Sequence, residues 1–269
     1  MSDFRSEKIT PSTTRIFTST GEVCYLVEGS EKAVLIDAGL GLGDLGSFVK
    51  TLTQKPVELV LTHGHMDHAG GAPAFGEARI SPLEMATLES HSDMGMRKRY
   101  AKLWLGKEPE DSDFVSGPVN WKPLSDKDAF GLGGVTLVFY ALPGHTPGFL
   151  APLNIEERWV LLGDACNVMT LLAEVPPIPI ESVKHALAAF RDEHSAKFDK
   201  VYVSHGPGDL PKAVLQGVID VCDDILGGRT DDVPFPFMGE MMSLAKAVNF
   251  QDMSRLDGGI GNILYRKQA

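Results

Sequence analysis

The stretch LTHGHMDHAGG, residues 61–71, places three histidines and one aspartate within six positions among glycines. His63 and His65 are two positions apart, so their side chains point the same way on an extended or gently turning backbone. The glycine between them lets the chain bend without a clash at Cβ. Asp67 and His68 are then free to reach a second point nearby. Imidazole nitrogen and carboxylate oxygen suit zinc and related metals as ligands, so the stretch predicts a metal site.

Four candidate ligands in one short stretch are too many for a single catalytic ion, which takes three protein ligands and keeps an open position. They correspond better to half of a two-metal site, whose remaining ligands should come from distant segments. Strand-like runs elsewhere end in His145, Asp164 and His205, as the run before the motif ends in His63. Side chains at the ends of neighbouring strands converge at one edge of an open α/β sheet. We therefore predict that these separate segments form one site.

The fold class is indicated by strand and helix patterns that alternate along the chain. Runs rich in β-branched and aromatic residues, bounded by Gly, Pro and Asp, are typical of strands. They cover residues 14–19, 23–28, 32–38, 57–63, 135–145, 158–164, 200–205 and 262–267. Apolar residues at helical spacing predict helices at 43–52, 181–196 and 208–226. Strands mixed with helices indicate an α/β protein.

Composition narrows the functional class. The chain has 269 residues and a net charge of −11, which allows one domain over 1–269 and disfavours binding to phosphate backbones. The N-terminus does not resemble a signal peptide, and we find no apolar stretch long enough to span a membrane. Three scattered cysteines fit a reducing cytosol better than a disulfide framework. We expect a cytoplasmic enzyme with a small-molecule substrate and neither nucleic-acid nor membrane partners; its oligomeric state is left open.

Four motifs in this order resemble the metallo-β-lactamase superfamily: THGHMDHAGG, PGHTPG, GD at 163–164 and SHGPG at 204–208. The resemblance runs from the first strands to about residue 210, and all seven ligand positions of the family are filled. It implies an αββα sandwich of two mixed β-sheets flanked by helices, with the site at one edge of the sheets. It also implies that one metal is bound by His63, His65 and His145, that the other is bound by Asp67, His68 and His205, and that Asp164 bridges the two.

The resemblance assigns a supporting role to Asp37 in VLIDAGL, whose carboxylate would hold the metal-binding loop by hydrogen bonds. Two divalent ions, zinc first and iron or manganese as alternatives, held about 3.5–4 Å apart can bind one water and lower its pKa from 15.7 to roughly 7. The metal-bridging hydroxide would be the nucleophile, and one metal would polarise the scissile carbonyl and stabilise the oxyanion. Asp67 is the candidate catalytic residue that orients the hydroxide and carries a proton to the leaving group.

The bridging residue separates branches of the family. Many antibiotic-cleaving members carry Cys there, whereas thioesterase and lactonase branches carry Asp, as Asp164 does here. The resemblance therefore favours a hydrolase of a small ester, thioester or lactone, similar to hydroxyacylglutathione hydrolases or acyl-homoserine lactonases. The alternative is an iron-dependent oxidoreductase similar to persulfide dioxygenases. A binding protein on the same scaffold is disfavoured, because all seven ligand positions are retained; Cys166 is expected to be a small buried filler.

Three segments are candidates for the substrate pocket. Residues 84–130 begin with a helical pattern and then turn loose, and we expect an insertion on the substrate side. The Met and aromatic stripe within Met94–Trp104 is either core or an apolar wall over the metals. Residues 168–181 form a proline-rich loop that follows Asp164, and residues 231–250 are a candidate cap.

Two features outside the motifs carry simpler expectations. His91, His185 and His194 are expected to lie exposed on helices. The run at 262–267 is expected to be a last strand, which either closes a sheet or stays exposed for pairing. Neither feature enters the predicted site.

Overall fold

The computed structural model describes residues 4–206 and 208–267; residue 207, part of the predicted segment 204–208, lies outside them. The strands within the described residues are β1 (Arg5–Lys8), β2 (Thr13–Phe17), β3 (Val23–Glu28), β4 (Ala33–Ile36), β5 (Val57–Val60), β6 (Glu77–Ile80), β7 (Asn120–Pro123), β8 (Ala129–Gly131), β9 (Thr136–Ala141), β10 (Leu150–Asn154), β11 (Trp159–Leu161), β12 (Thr170–Leu172), β13 (Lys200–Tyr202), β14 (Asp209–Leu210), β15 (Val233–Phe237), β16 (Glu240–Leu244) and β17 (Ile263–Tyr265). The α-helices are α1 (Leu45–Leu52), α2 (Met66–Ala69), α3 (Met85–Ser90), α4 (Met94–Leu105), α5 (Ile180–His194) and α6 (Val214–Leu226). None of these helices is both long and apolar enough to cross a bilayer.

Two mixed sheets make up most of the fold. The first has the order β1-β2-β3-β4-β5-β6-β7, antiparallel from β1 to β4 and parallel from β4 to β7. The second has the order β14-β13-β11-β10-β9-β8, antiparallel except for the pair β11 and β13. This arrangement agrees with the two mixed sheets implied by the family resemblance.

The sheets pack face to face and carry helices on their outer faces. Tyr25 and Ile36 of the first sheet share a buried cluster with Phe139 and Trp159 of the second. Helix α1 buries Leu45 against the outer face of the first sheet, and α5 and α6 cover the outer face of the second. Strands buried on both faces read as continuous apolar runs, and every residue of β4 is buried. The architecture is therefore the predicted αββα sandwich.

Strand direction positions the predicted site. Strand β10 is antiparallel to both β9 and β11, and β11 is parallel to β13. Hence β9, β11 and β13 run the same way, and their carboxyl ends lie at the same edge of the sheet. His145, Asp164 and His205 follow shortly after these three ends, so strand direction alone gathers them at that edge.

The segment 84–130 differs from its expected form. Its helical start is present as α3 and α4, but the part expected to be loose adds an edge strand to the first sheet, and the residues that directly follow it add one to the second. Strand β7 pairs parallel with β6, and β8 pairs antiparallel with β9. The expectation is therefore wrong at β7, whereas β8 begins just after the stretch expected to be loose; the two strands are only four and three residues long. Such short edge strands form because a sheet edge is available, and the local residue pattern carries little strand signal.

A third, smaller sheet has the order β12-β17-β16-β15. Strand β17 lies between β12 and β16, and its three residues are buried. Residues 262–267 were expected either to close a sheet or to stay exposed for pairing, and the structure shows the first of these. Met242, Leu244 and Leu264 form the core of this sheet, which ties the C-terminal segment to the loop after Asp164.

Helix α5 carries two of the histidines expected to be exposed. His185 is exposed, but His194 is buried, with its ring 4.0 Å from that of Tyr140. The expectation for His194 is wrong because the C-terminal end of α5 packs against the second sheet, where an imidazole can stack on aromatic rings.

Candidate metal centre

All seven predicted side chains lie together at the sheet edge described above. Their donor atoms form sets in which all members lie within 4.8 Å of one another: His63 with His65 and His145, His63 with His68 and Asp164, and Asp67 with His68 and His205. We call the first of these the three-histidine set. We call Asp67, His68, His205 and Asp164 the carboxylate set. The geometry agrees with one constellation, and the role of each residue as a ligand stays a prediction.

Hydrogen bonds define which ring nitrogens of the three-histidine set carry protons. The Nδ1 of His145 lies 2.7 Å from the carbonyl oxygen of Leu171, which can only accept, so Nδ1 donates. The Nε2 of His65 lies 3.0 Å from a carboxylate oxygen of Glu174 and donates to it. The opposite nitrogens, His145 Nε2 and His65 Nδ1, therefore carry lone pairs when the rings are neutral.

A relay through Thr62 orients His63. The Thr62 hydroxyl donates to Asp37, with an Oγ1–Oδ2 distance of 2.9 Å, and therefore accepts from His63 Nδ1, also at 2.9 Å. This leaves His63 Nε2 with a lone pair, and that atom is buried without a hydrogen-bond partner among the described residues. Asp37 also accepts from the Thr62 backbone amide at 2.8 Å, which matches the supporting role expected for it.

These three nitrogens fit a divalent cation. His65 Nδ1 and His145 Nε2 face each other at 3.0 Å, and in these tautomers no proton lies between them. Burial lowers the pKa of both residues to about 4 and that of His63 well below its usual value. Buried lone pairs that converge without a donor are costly unless a positive charge is shared among them. Three neutral imidazoles with an open position are a known donor set for catalytic zinc.

In the carboxylate set, the pKa values of the histidines are raised and not lowered. His68 Nδ1 donates to Asp37 Oδ2 at 2.9 Å, so its Nε2 faces Asp164 Oδ2 at 3.1 Å. His205 Nε2 lies 3.4 Å from Asp67 Oδ2 and 3.3 Å from Asp164 Oδ2. Burial disfavours the charged imidazoles, but the carboxylates outweigh it and raise the pKa of His205 to about 10 and that of His68 well above its usual value. Protons on these two rings therefore supply the positive charge that a metal ion would bring.

Asp164 contacts both sets. Its Oδ2 lies 3.1 Å from His68 Nε2, 3.3 Å from His205 Nε2 and 3.8 Å from His145 Nε2. Its Oδ1 is buried without a hydrogen-bond partner among the described residues. Burial opposes ionisation, yet His205 and His68 hold the pKa of Asp164 well below its usual range. An ionised carboxylate with one free oxygen between two donor sets is what a bridging ligand requires.

Glu84 links two ligand-bearing loops and was missed by sequence reasoning. It is fully buried, and its carboxylate accepts from Gly64 N at 2.8 Å and from Gly148 N at 2.5 Å. A Cβ at Gly64 would lie 2.8 Å from the backbone nitrogen of Leu88, so α3 can approach this closely only because residue 64 is glycine. No motif around Glu84 marks this role, since its partners are distant backbone amides.

His91 and Glu174 are two further side chains that sequence reasoning did not place in the site. His91 was expected to be exposed, but it is half-buried, and its ring stacks on that of His65 at 4.3 Å with an interplanar angle of 25°. The expectation is wrong because α3 ends at Ser90 and the ring of the next residue packs against His65 in the loop of predicted ligands. The donor atoms of His65, His91 and Glu174 also lie within 4.8 Å of one another.

The Met and aromatic stripe of α4 divides between core and site. Met94 and Met96 pack with Tyr100 in a buried cluster, whereas Trp104 is largely exposed. The Tyr100 hydroxyl donates to Asp67 Oδ2 at 3.0 Å. Of the stripe, Tyr100 therefore makes the direct contact with a predicted ligand.

The predicted ligands differ in exposure to solvent. The side chains of His63, His68 and His145 are almost fully buried, whereas His205 is 27 % exposed and Asp67 13 % exposed. His205 is therefore the most solvent-accessible of the seven side chains.

The chain matches the family model of the metallo-beta-lactamase superfamily over residues 19–205. The chain belongs to this superfamily. The matched range contains all seven predicted ligands and ends at His205. Strands β15 to β17 lie beyond it.

Proteins with sequences similar to this chain include thioesterases. The chain is 27 % identical to the acyl-coenzyme A thioesterase MBLAC2 of Gallus gallus over 154 residues, which are 52 % of this chain and 56 % of that protein. It is 28 % identical to the atrochrysone carboxyl ACP thioesterase of Aspergillus fumigatus over 201 residues, which are 72 % of this chain and 40 % of that protein. It is 26 % identical to the uncharacterized protein YobT of Bacillus subtilis (strain 168), covering 70 % of this chain and 80 % of YobT. The match thus spans about half the length of the two thioesterases.

Solved structures share the fold. A metallo-beta-lactamase from Pontibacter korlensis superposes with a TM-score of 0.62 at 19 % identity, covering 82 % of this chain and 100 % of that one. The sec-alkylsulfatase Pisa1 from Pseudomonas sp. superposes with a TM-score of 0.64 at 14 % identity, covering 83 % of this chain and 42 % of that one. At such identities the likeness concerns the fold alone.

Proposed function

We propose that this protein is a dinuclear metal-dependent hydrolase of a small ester, thioester or lactone, and that a thioester is its substrate. The observation that carries the proposal is the position of Asp164, whose carboxylate contacts both donor sets. Such a residue suits a pair of ions, whereas a single ion would need only one set. The choice of a thioester rests on the two thioesterase relatives.

The three-histidine set would hold one ion, the carboxylate set would hold the other, and Asp164 would be shared. Zinc is proposed first, because neutral imidazole and carboxylate are its common ligands, with iron and manganese as alternatives. A bound pair of such ions supplies Lewis acidity, which makes water nucleophilic near neutral pH and polarises an acyl carbonyl.

Asp67 is proposed to orient the attacking water and to carry its proton to the leaving group. It lies on the solvent-facing side of the site, where a substrate can reach it. Its carboxylate is held by the Tyr100 hydroxyl at 3.0 Å, which leaves it less free to rotate. Although burial opposes ionisation, His68 and His205 keep the pKa of Asp67 low, so the carboxylate is ionised and can accept a hydrogen bond from the attacking water.

We place the acyl part of the substrate beside α3 and α4. A cavity of about 610 Å³ lies there, with Met66, Leu88, His91 and Trp121 among its lining residues. Its wall reaches the metal centre through His91, which stacks on His65. Apolar cavities of this size are typical of small-molecule sites. This placement supports residues 84–130 as the substrate-side insertion.

The other two candidate segments also reach the site. Residues 168–181 contribute Leu171 and Glu174, whose oxygens accept from His145 and His65. Within residues 231–250, β15 and β16 form a hairpin, and Met238 at its turn packs on the cluster that contains Tyr100. We propose that this hairpin caps the cleft. We also propose a cytoplasmic location, because all three cysteines are buried free thiols.

The test is metal quantitation on the purified protein, followed by a panel of acyl thioesters of increasing chain length, lactones, aryl esters and phosphodiesters. We expect two ions per chain and thioester hydrolysis that is lost on chelation and restored by zinc. Activity on phosphodiesters alone would overturn the substrate class. Bound iron with oxygen consumption would favour the oxidoreductase alternative instead.

A further inference from the structure

We propose that Glu174 is a positioning residue for the metal ligand His65: its carboxylate accepts the Nε2 proton and so keeps Nδ1 free and aimed at the metal. The proposal rests on the metal centre of the proposed function. It assigns a role to a side chain outside the seven family ligand positions, on the loop that follows β12.

The contact geometry supports this role. Glu174 Oε1 lies 3.0 Å from His65 Nε2, and both side chains are mostly buried, with exposed fractions of 18 % and 12 %. On the other side of the ring, Nδ1 lies 3.0 Å from His145 Nε2 within the three-histidine set. A ring flip of His65 would break the bond to Glu174 and turn the Nδ1 lone pair away from the three-histidine set. The other neutral tautomer would leave Glu174 without a donor and point an N–H at the neighbouring lone pairs. The carboxylate therefore selects the ring state that can bind a metal.

Each histidine of the three-histidine set has a different type of acceptor. His63 donates to the Thr62 hydroxyl, and His145 donates to a backbone carbonyl. His65 is the one of the three whose direct acceptor is a carboxylate. A charged acceptor makes the opposite nitrogen more basic as well as fixing its direction, which strengthens its bond to a metal.

The segment that contains Leu171 and Glu174 orients two of these predicted ligands. The carbonyl of Leu171 orients His145, and Glu174 orients His65. Strand β12 lies in this segment and pairs parallel with β17. After β17, Arg266 donates to the carbonyl of Ala173 and pairs with Glu240 at 2.8 Å. The C-terminal sheet, most of which lies beyond the family match, thus holds the segment that orients the metal ligands.

His91 completes the support from the other face. Its ring stacks on that of His65 at 4.3 Å, so it restricts rotation of the imidazole by packing. The Nε2 proton of His65 is already donated to the Glu174 carboxylate, so His91 is not needed as its acceptor. We therefore assign His91 a packing role and not a ligand role.

The experiment measures cobalt(II) binding to the metal-free full-length protein, by competition with a chromophoric chelator and by visible absorption of the bound ion. The variants are Glu174→Ala and Glu174→Gln, with Glu181→Gln as the control, because Glu181 is an exposed residue in the first turn of α5. For Glu174→Ala we expect about 10- to 100-fold weaker binding of one of the two equivalents and a changed absorption band for that ion. Glu174→Gln should lose less, because its amide oxygen still accepts, and the control should match the wild type.

The outcomes separate the two proposals. If the wild type takes up no metal, the proposed function fails. If the wild type binds two ions and both Glu174 variants bind them with unchanged affinity and spectrum, only the role of Glu174 is wrong. Circular dichroism of the metal-free variants checks folding, and Glu174→Gln decides if Glu174→Ala does not fold. His91→Phe keeps the stacking and should bind like the wild type; loss of a bound equivalent in that variant would make His91 a ligand and overturn the assignment.

Discussion

The two halves of the candidate metal centre contain imidazole side chains in opposite protonation states. In the three-histidine set, burial dominates, and the pKa of His65 and His145 falls to about 4. In the carboxylate set, burial acts in the same direction, but Asp164 and Asp67 raise the pKa of His205 to about 10. The metal-free protein therefore offers one set of neutral donors and one set already compensated by protons. The neighbouring charges, and not the type of side chain, therefore decide whether a cation must displace protons before it binds to each half.

The largest expected effect concerns Asp67, the member of the carboxylate set with a proposed chemical role. Asp67→Asn removes the base while keeping the shape of the side chain. We expect kcat to fall by about 10²- to 10⁴-fold in protein that still holds both ions. Steady-state kinetics on metal-replete enzyme checks this, and near-normal turnover would show that Asp67 does not carry the proton.

A pH titration of metal binding tests the comparison directly. His205 and His68 are protonated in the metal-free protein near neutral pH, so an ion entering the carboxylate set must displace both protons. Its affinity should rise with pH, by up to about 100-fold per pH unit for two protons, until the pH approaches 10. The three-histidine set is already neutral and should weaken only as the pH falls towards 4.

The measurement is proton release during zinc addition to the metal-free protein in weakly buffered solution. We expect one equivalent to bind without release and the other to release about two protons near pH 6, below the pKa of roughly 7 at which a metal-bound water would add its own proton. Equal release from both equivalents would mean that the two halves do not differ in protonation.

Asp37 supports both halves, since it accepts from His68 directly and orients His63 through Thr62. Asp37→Asn should therefore weaken both equivalents, by about 10- to 100-fold each, whereas the Glu174 variants should weaken one. Competition with a chelator measures both constants. Loss confined to one equivalent would indicate that Thr62 orients His63 without help from Asp37.

The smallest expected effect concerns Tyr100, whose hydroxyl donates to Asp67 at 3.0 Å. Tyr100→Phe removes one hydrogen bond, worth about 1 kcal/mol, or roughly fivefold in kcat, and keeps the ring in its buried cluster. Metal affinity should fall by no more than about fivefold, because a single neutral hydrogen bond to the carboxylate is lost. A loss as large as that of Asp67→Asn would mean that the hydroxyl acts on the substrate itself.

Much of this site could be read from particular residues of the sequence. HGHMDH places four candidate metal ligands within six residues. Its first two histidines are two positions apart, and such residues point the same way on an extended backbone. Runs ending near His145, Asp164 and His205 carry the strand pattern that leads each of them to the same edge. These are local signals, and they were sufficient for the α/β class and for the seven candidate residues, whereas the αββα sandwich was implied by the resemblance to the superfamily.

The sequence by itself determined the donor types and the strands that deliver them, because local spacing and apolar patterning specify both. Only the tertiary structure decided the protonation of each imidazole and the supporting residues Glu84, His91 and Glu174. Glu174 lies 109 positions from His65 along the chain, and no local pattern links the two. The pKa of a buried histidine depends on which charges surround it, and those neighbours exist only after the sheets, helices and C-terminal strands have packed together.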